Sequence, residues 1–317
     1  MVLWLWLPGA DTGRAETLKS YDFLPQWSPQ AQFAGYYVAA AKGFYERRGL
    51  ALTILRGGPE RPVGAQLAAG LVDFGTLFLT EGLVLRDQGI PLVNVGQLVQ
   101  RSALMLVAHK ERGIRTPEDL NGRRVSVWEA FQLQPRAFFL RHELDVTVVP
   151  QGNNVNLFLM GGVDATSAMW YNEYYTILNA GIDTDEITTF RLADHGLNFP
   201  EDGIYCREET LQRDPAAVRA FVQGSIDGWR YAFDNPEEAI EIVMTHIQAA
   251  NLPTNRVHQR WMLARMADII RPAGHHRPMG TLTDSDLRFV AEQLHHSGIL
   301  HTQPDYLEFH DPRPSTR

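Results

Sequence analysis

Four aromatic rings, an amide and a carboxylate fall within nine residues, Ser167-Ala168-Met169-Trp170-Tyr171-Asn172-Glu173-Tyr174-Tyr175. Aromatic walls with a few fixed polar groups are how proteins hold a flat, nitrogen-rich small molecule: rings supply apolar area and polar atoms set orientation. Trp170 and Tyr171, with Trp27 and Trp128 elsewhere in the chain, are the stacking candidates. Glu173 and Asn172 are the candidates for reading a ligand's edge, since a carboxylate accepts from an exocyclic amino group and can share a proton with a ring nitrogen. The competing reading makes the stretch a strand entering the core, with Asn172 as the cap of the next helix and Glu173 a solvated first-turn residue. The same mixture recurs at Gln26-Trp27, at Thr80-Glu81 and at Trp128-Glu129 with Phe131, and Tyr37 and Asn198 complete the candidate set. Glu81 and Glu129, with no Lys or Arg at the expected strand ends, favour a neutral or cationic ligand over an anionic one.

Other chemistries lack their residues. A single cysteine, Cys206, excludes an intramolecular disulfide and any multi-cysteine metal site. The pairs His275-His276 and His295-His296 are adjacent in sequence, so on a helix they diverge and chelate poorly. Neither a Gly-x-Ser-x-Gly elbow nor a phosphate-cradling Gly-Lys-Ser/Thr loop occurs. No catalytic residue, metal ligand or cofactor is therefore assigned.

The elements that must position the candidates alternate between strand-like and helix-like, which predicts an α/β architecture. SYDFLPQW reads as a first strand, and Ser28-Pro29 as N-cap and first residue of a helix running to Gly49. LALTILRG, the helix PVGAQLAAG and the buried strand VDFGTLFL follow; RTPEDLNGRRVSVWEAF, QPRAFFLRHELD, VTVVPQG and NNVNLFLMGGVDATSAMW then repeat the order. AAGLVDFGTLFLTE and LMGGVDATSAMWYNE share a Gly, then Val-Asp, an apolar run and a Glu. The repeat predicts two similar lobes on separate sheets. Ligands of open α/β sheets sit beyond the carboxyl ends of the strands, where the candidates fall. After GIYCREETLQRDP the sequence reads as helical, ending in the capped helix TDSDLRFVAEQLHHSG and a Pro-rich tail expected to be extended and partly mobile.

At 317 residues and 44% apolar composition the chain can bury a core in one large or two ordinary domains. Its net charge of -8 and scattered basic residues argue against a nucleic-acid partner. The start, MVLWLWLPGADTGRAETLKS, has an apolar run and a small-x-small step at Gly13-Arg14-Ala15 but no basic n-region; it reads as a truncated signal segment over 1–17 and predicts export.

QWSPQAQFAGYYVAAAKGFYERRGLALTI, VDFGTLF, DQGIPLVNV and IRTPEDLNGRRVSV, in that order and spacing, resemble the periplasmic solute-binding proteins that share a domain with the thiamine-pyrimidine synthases and the alkanesulfonate-binding proteins. The resemblance covers roughly residues 20–245. It implies a type II periplasmic binding protein, with two α/β lobes joined by two crossing strands that close on a ligand for an ABC importer. Among binders of thiamine pyrimidine precursors the first strand ends in a polar residue and Trp; Gln26-Trp27 fits, with Gln for the more usual Asn. ALMLVAHKE and DGIYCREET are the expected crossing strands, making 18–107 plus 207–317 lobe one and 108–206 lobe two. The synthase branch is implied to use a cysteine-rich segment, a histidine and a lysine that holds pyridoxal phosphate, and this chain lacks the cysteine cluster.

The expectation is an exported, monomeric solute-binding component of an ABC importer, working with permease and ATPase subunits and capturing a small aromatic heterocycle of the thiamine-pyrimidine kind. Riboflavin or another flavin ring system is the alternative within that class. A pyrimidine-precursor biosynthetic enzyme of the same fold and a cytoplasmic or membrane-tethered ligand sensor are the alternatives outside it.

Overall fold

A computed structural model describes residues 17–274 and 277–316. The N-terminal segment up to residue 16 and the His275-His276 pair lie outside the described residues. Among the described residues, ten strands form two five-stranded sheets. In chain order they are β1 (Lys19–Leu24), β2 (Leu50–Ile54), β3 (Phe74–Leu77), β4 (Leu92–Val99), β5 (Leu104–His109), β6 (Arg124–Val127), β7 (Thr147–Pro150), β8 (Ala165–Met169), β9 (Ile187–Arg191) and β10 (Glu201–Arg207). The first sheet runs β2-β1-β3-β10-β4 and the second β7-β6-β8-β5-β9. The two orders are the same pattern: three parallel strands, one antiparallel strand, then the edge. β3 and β4 are buried throughout, as their near-continuous apolar runs require of strands covered on both faces.

The repeated Val-Asp junction does the same work twice. Asp73 accepts a hydrogen bond from the Asp22 backbone N–H at 3.0 Å, and Asp164 accepts from that of Arg124 at 2.9 Å. Each carboxylate thus ties the start of its own strand to the parallel neighbour, and each meets an arginine, Arg213 at 3.2 Å and Arg112 at 3.4 Å.

Helices α1 (Ala34–Ala41), α2 (Val63–Ala68) and α3 (Leu79–Asp87) cover the first sheet; α4 (Leu133–Arg141), α5 (Asn156–Leu159) and α6 (Glu173–Asn179) cover the second. The C-terminal third adds α7 (Glu208–Arg213), α8 (Pro215–Asp234), α9 (Pro236–Ala249), α10 (Arg256–Ile270), α11 (Asp284–His296) and α12 (Tyr306–Phe309) to lobe one. Asp214 caps α8 through the Ala217 N–H at 3.0 Å, with Pro215 in the first turn. Val218, Phe221, Val222, Ser225 and Trp229 form its buried stripe. α8 lies so close to α1 that a Cβ at Gly228 would stand 2.0 Å from the Gly35 carbonyl, so only glycine fits there. Thr283 caps α11 by accepting from Asp286 N–H at 3.1 Å, as its sequence predicts.

Three expectations are corrected. The helix expected from Ser28-Pro29 starts later: residues 25–30 form a loop, a 3-10 turn follows at Ala31–Phe33, and α1 begins at Ala34. A 2.7 Å bond from Ala31 N–H to Gln259 Oε1 holds that turn against α10, which keeps the loop at the cleft. The strands expected to cross between lobes each belong to one sheet, β5 to the second and β10 to the first. Boundaries at 107/108 and 206/207 therefore cut through paired strands; the chain crosses over residues 100–103 and 192–200. The Pro-rich tail is anchored: His310 bridges to Asn94 of β4, and Asp311 N–H donates to the Asn94 carbonyl at 3.0 Å.

Candidate functional site

The two crossovers are stitched together at the floor of the cleft. Asn198 accepts from Ser102 N–H at 2.8 Å and donates to the Gln100 carbonyl at 3.0 Å. Glu201, the first residue of β10, reaches back to accept from Ser102 Oγ at 2.6 Å and Ala103 N–H at 2.8 Å. Its second oxygen is buried without a partner, and burial pushes the carboxyl up to about 8. Asp202 beside it is buried, in the left-handed region at φ 42, and accepts from Gln32 Nε2 at 2.8 Å and from Gln26 Nε2. Burial pushes its carboxyl up to about 7.

Above this floor a cavity of about 80 Å³ lies between the lobes. Lobe one contributes Gln26, Trp27, Gln30, Gln32 and Phe78; lobe two contributes Trp128, Phe131, Asn153, Met169, Tyr171, Asn172 and Glu173. Phe78 and Phe131 meet across the cleft with ring centroids 4.8 Å apart, and Trp128 stands edge-on to Phe131 at 6.2 Å, its indole N–H spent on the Gly152 carbonyl. Glu173 opens α6 and turns back over the end of β8, accepting from Met169 N–H at 3.0 Å and Asn172 Nδ2 at 2.7 Å. Asn172 therefore orients the carboxylate instead of capping the helix. Burial pushes the Glu173 carboxyl up to about 7 despite those donors, so a ligand cation or amino group beside it would favour the ionised form. The Tyr171 hydroxyl is raised well above its ordinary range, first by burial and then by the charges of Asp202, Glu201 and Glu173.

The structure brings together seven of the thirteen candidates: Gln26, Trp27, Trp128, Phe131, Tyr171, Asn172 and Glu173. It turns six away. Tyr37 is buried in α1, stacked on His246 at 4.1 Å. Thr80 and Glu81 sit inside α3, and Glu81 faces α2, where a Cβ on Gly64 would meet its Oε1 at 3.2 Å. Glu173 is the first residue of its helix and Glu81 the third of its own, a difference of about 200° around the axis, so the matched glutamates point differently. Glu129 is exposed on a 3-10 turn. Trp170 lies outside the cavity between the guanidinium groups of Arg191 at 4.0 Å and Arg265 at 4.9 Å. Asn198 is a crossover staple. Sequence reasoning missed Gln30, Gln32, Phe78, Asn153 and Met169, and Asp202 behind them; Gln30 and Gln32 were hidden in a stretch read as an ordinary helix start.

Outside the cavity, α10 reaches across to α6. Trp261 Nε1 donates to the Trp170 carbonyl at 3.1 Å and its ring stacks on Tyr175 at 4.8 Å. A wider depression of about 750 Å³ lies near the tail, but it is open to solvent and its charged walls, Arg86 with Glu208 and Arg313 with Asp311, are already paired. No group of three or more potential metal ligands comes together among the described residues, and no helix there is long and apolar enough to cross a membrane.

A model of the NMT1/THI5-like domain matches residues 30–239, which hold every cavity residue but Gln26 and Trp27, both crossovers and both sheets' central strands. The chain belongs to the NMT1/THI5-like family. A riboflavin-binding protein from Chloroflexus aurantiacus is 28% identical over 74% of the chain and 69% of its own length. A formylaminopyrimidine-binding protein from Halalkalibacterium halodurans is 22% identical over 78% of each. The fold is that of the periplasmic binding proteins: the aliphatic sulphonate-binding protein of Escherichia coli superposes with a TM-score of 0.68 at 15% identity, covering 92% of this chain and 96% of that one. A 4-amino-5-hydroxymethyl-2-methylpyrimidine phosphate synthase from Legionella pneumophila is 22% identical over 69% of this chain and 71% of its own length.

The cleft of this NMT1/THI5-like chain does not fit a lysine-bound pyridoxal phosphate. The sequence has three lysines, and none lines the cavity: Lys19 pairs with Asp214, Lys42 with Glu238, and Lys110 donates to the Asp185 carbonyl. Cys206 is buried in β10 between β3 and β4, its thiol pushed up by burial, and cannot serve as a thiolate there.

Proposed function

We propose that this protein is the extracytoplasmic, monomeric solute-binding component of an ABC importer and that it captures a small aminopyrimidine of the thiamine-precursor class without chemical change. One observation carries the reading: aromatic rings from both lobes face a cavity whose polar wall includes the Glu173 carboxylate and the Gln26 amide. Rings on opposite lobes gain stacking only when the cleft shuts, so binding and closure are coupled, and the closed form is what a permease would receive. The formylaminopyrimidine-binding relative supports this choice of ligand.

Riboflavin is the second reading, favoured by the 28% identical relative and by the indoles of Trp27 and Trp128. A cavity of about 80 Å³ is far below the roughly 300–1,000 Å³ of drug-sized sites, so the lobes must part to admit either ring, and much further for a three-ring flavin than for a single pyrimidine.

Titration of tryptophan fluorescence with 4-amino-5-hydroxymethyl-2-methylpyrimidine and, separately, with riboflavin decides between them. Saturable binding of the pyrimidine alone is expected. Glu173→Gln should weaken it at least about tenfold, the loss expected when a charge-assisted bond becomes a neutral one. Wild-type affinity in that variant, or tight binding of riboflavin alone, would sink the proposal.

A further inference from the structure

We propose that Asp202 is a positioning residue that fixes ligand specificity: by taking amide N–H groups of Gln26 and Gln32 it leaves carbonyl oxygens for the cavity, so the site selects a ring bearing an exocyclic amino group over its oxo counterpart. This rests on the aminopyrimidine reading above and extends it to the discrimination between two ring edges.

The geometry runs outward from one buried carboxylate. Asp202 sits at the start of β10 with φ 42, a conformation that costs most side chains and that aspartate tolerates better than most. Each Asp202 oxygen accepts from one glutamine, so both glutamines turn their Nε2 toward it. Gln32 then has its Oε1 left over, and this accepts from Gln30 Nε2 at 2.6 Å, which in turn leaves Gln30 with its carbonyl. Gln26 and Gln30 both line the cavity, and neither Oε1 has a protein partner among the described residues.

Lobe two repeats the logic on its own wall. Glu173 takes Asn172 Nδ2, which leaves the side-chain Oδ1 of Asn172 without a protein partner among the described residues. The cavity therefore offers the amide oxygens of Gln26, Gln30 and Asn172 and the Glu173 carboxylate as acceptors, with the Tyr171 hydroxyl and Trp27 indole as donors and the Asn153 amide able to do either. An amino-substituted ring supplies two N–H donors to such a wall and takes a donor at its ring nitrogen. Its oxo counterpart sets a carbonyl against carbonyls, losing hydrogen bonds and leaving buried acceptors unmatched.

The test compares 4-amino-5-hydroxymethyl-2-methylpyrimidine with its 4-oxo counterpart by calorimetry on the full chain. Wild type should prefer the amino ring. Asp202→Asn can hold one glutamine by its N–H but meets the other with an NH2 group, which turns that amide around. The preference should fall about tenfold, equivalent to ~1.4 kcal/mol, while both rings still bind. A purely structural role would weaken both rings alike and keep the ratio, which would overturn the proposal. Should the Asn variant fail to fold, Gln26→Leu removes one carbonyl and leaves residue 202 intact. A comparable fall in the ratio is expected there, and an unchanged ratio overturns the proposal as well. Retention of the wild-type ratio in the variants removes the role of Asp202 but leaves the aminopyrimidine reading standing, whereas a wild-type protein that binds neither ring removes both.

Discussion

Trp261→Ala should weaken ligand capture although Trp261 lines no part of the cavity. Its indole N–H holds the Trp170 carbonyl at 3.1 Å and its ring stacks on Tyr175 at 4.8 Å, so both contacts join α10 of lobe one to lobe two. A net hydrogen bond is worth ~0.5–1.5 kcal/mol and a ring stack about the same again. Their loss should shift the closure equilibrium by about 1–3 kcal/mol, a factor of roughly 5 to 150. Apparent affinity falls with the fraction of molecules in the binding-competent form, so calorimetry should show a loss of up to that factor. Trp261→Phe keeps a ring and loses only the N–H, and should fall between the two, at roughly two- to tenfold. Small-angle scattering provides the independent readout: without ligand, the alanine variant should have a larger radius of gyration than wild type. Unchanged affinity together with an unchanged radius would refute the latch.

Two further outcomes follow from buried and partly buried carboxylates. Burial raises the carboxyls of Glu173, Asp202 and Glu201 to about 7, 7 and 8. Stability tied to a raised pKa is fully present below the unfolded value, near 4, and is lost as pH rises through the folded one. The melting temperature of ligand-free protein should therefore fall between pH 6.5 and 8.5, above the range in which the buried, neutral His310 acts in the opposite direction. Glu201→Gln should flatten that slope, and a melting temperature that rises over the interval would contradict the assignment. Asp73→Ala and Asp164→Ala should each cost about 1–2 kcal/mol in urea unfolding, because each leaves an N–H of the neighbouring strand without its carboxylate. A neutral result at one site alone would break the equivalence of the lobes.

Much of the architecture was legible because the repeat is written in local signals. The Gly, Val-Asp and apolar run recur, and the structure gives both aspartates one task. Residues at strand ends were legible for the same reason, and Gln26, Trp27, Trp128 and Tyr171 reach one cavity. What failed were readings that depend on rotation or distant packing. Glu81 and Glu173 match in sequence yet differ by two helical positions, and Trp170, beside two cavity residues, is claimed by arginines from β9 and α10. Gln30 and Gln32 acquire their role through Asp202, some 170 residues away in sequence, and no local pattern announces that contact.

The placement of β10 has a consequence for biosynthesis. It lies between β3 and β4 in the first sheet, whereas every strand of the second sheet is made between residues 104 and 191. A ribosome therefore finishes lobe two while lobe one still lacks an interior strand, and β3 and β4 must wait with open edges. The second lobe is positioned to fold first as a unit. The first can close only when Glu201–Arg207 emerges and inserts, bringing with it the two carboxylates on which the cleft is built.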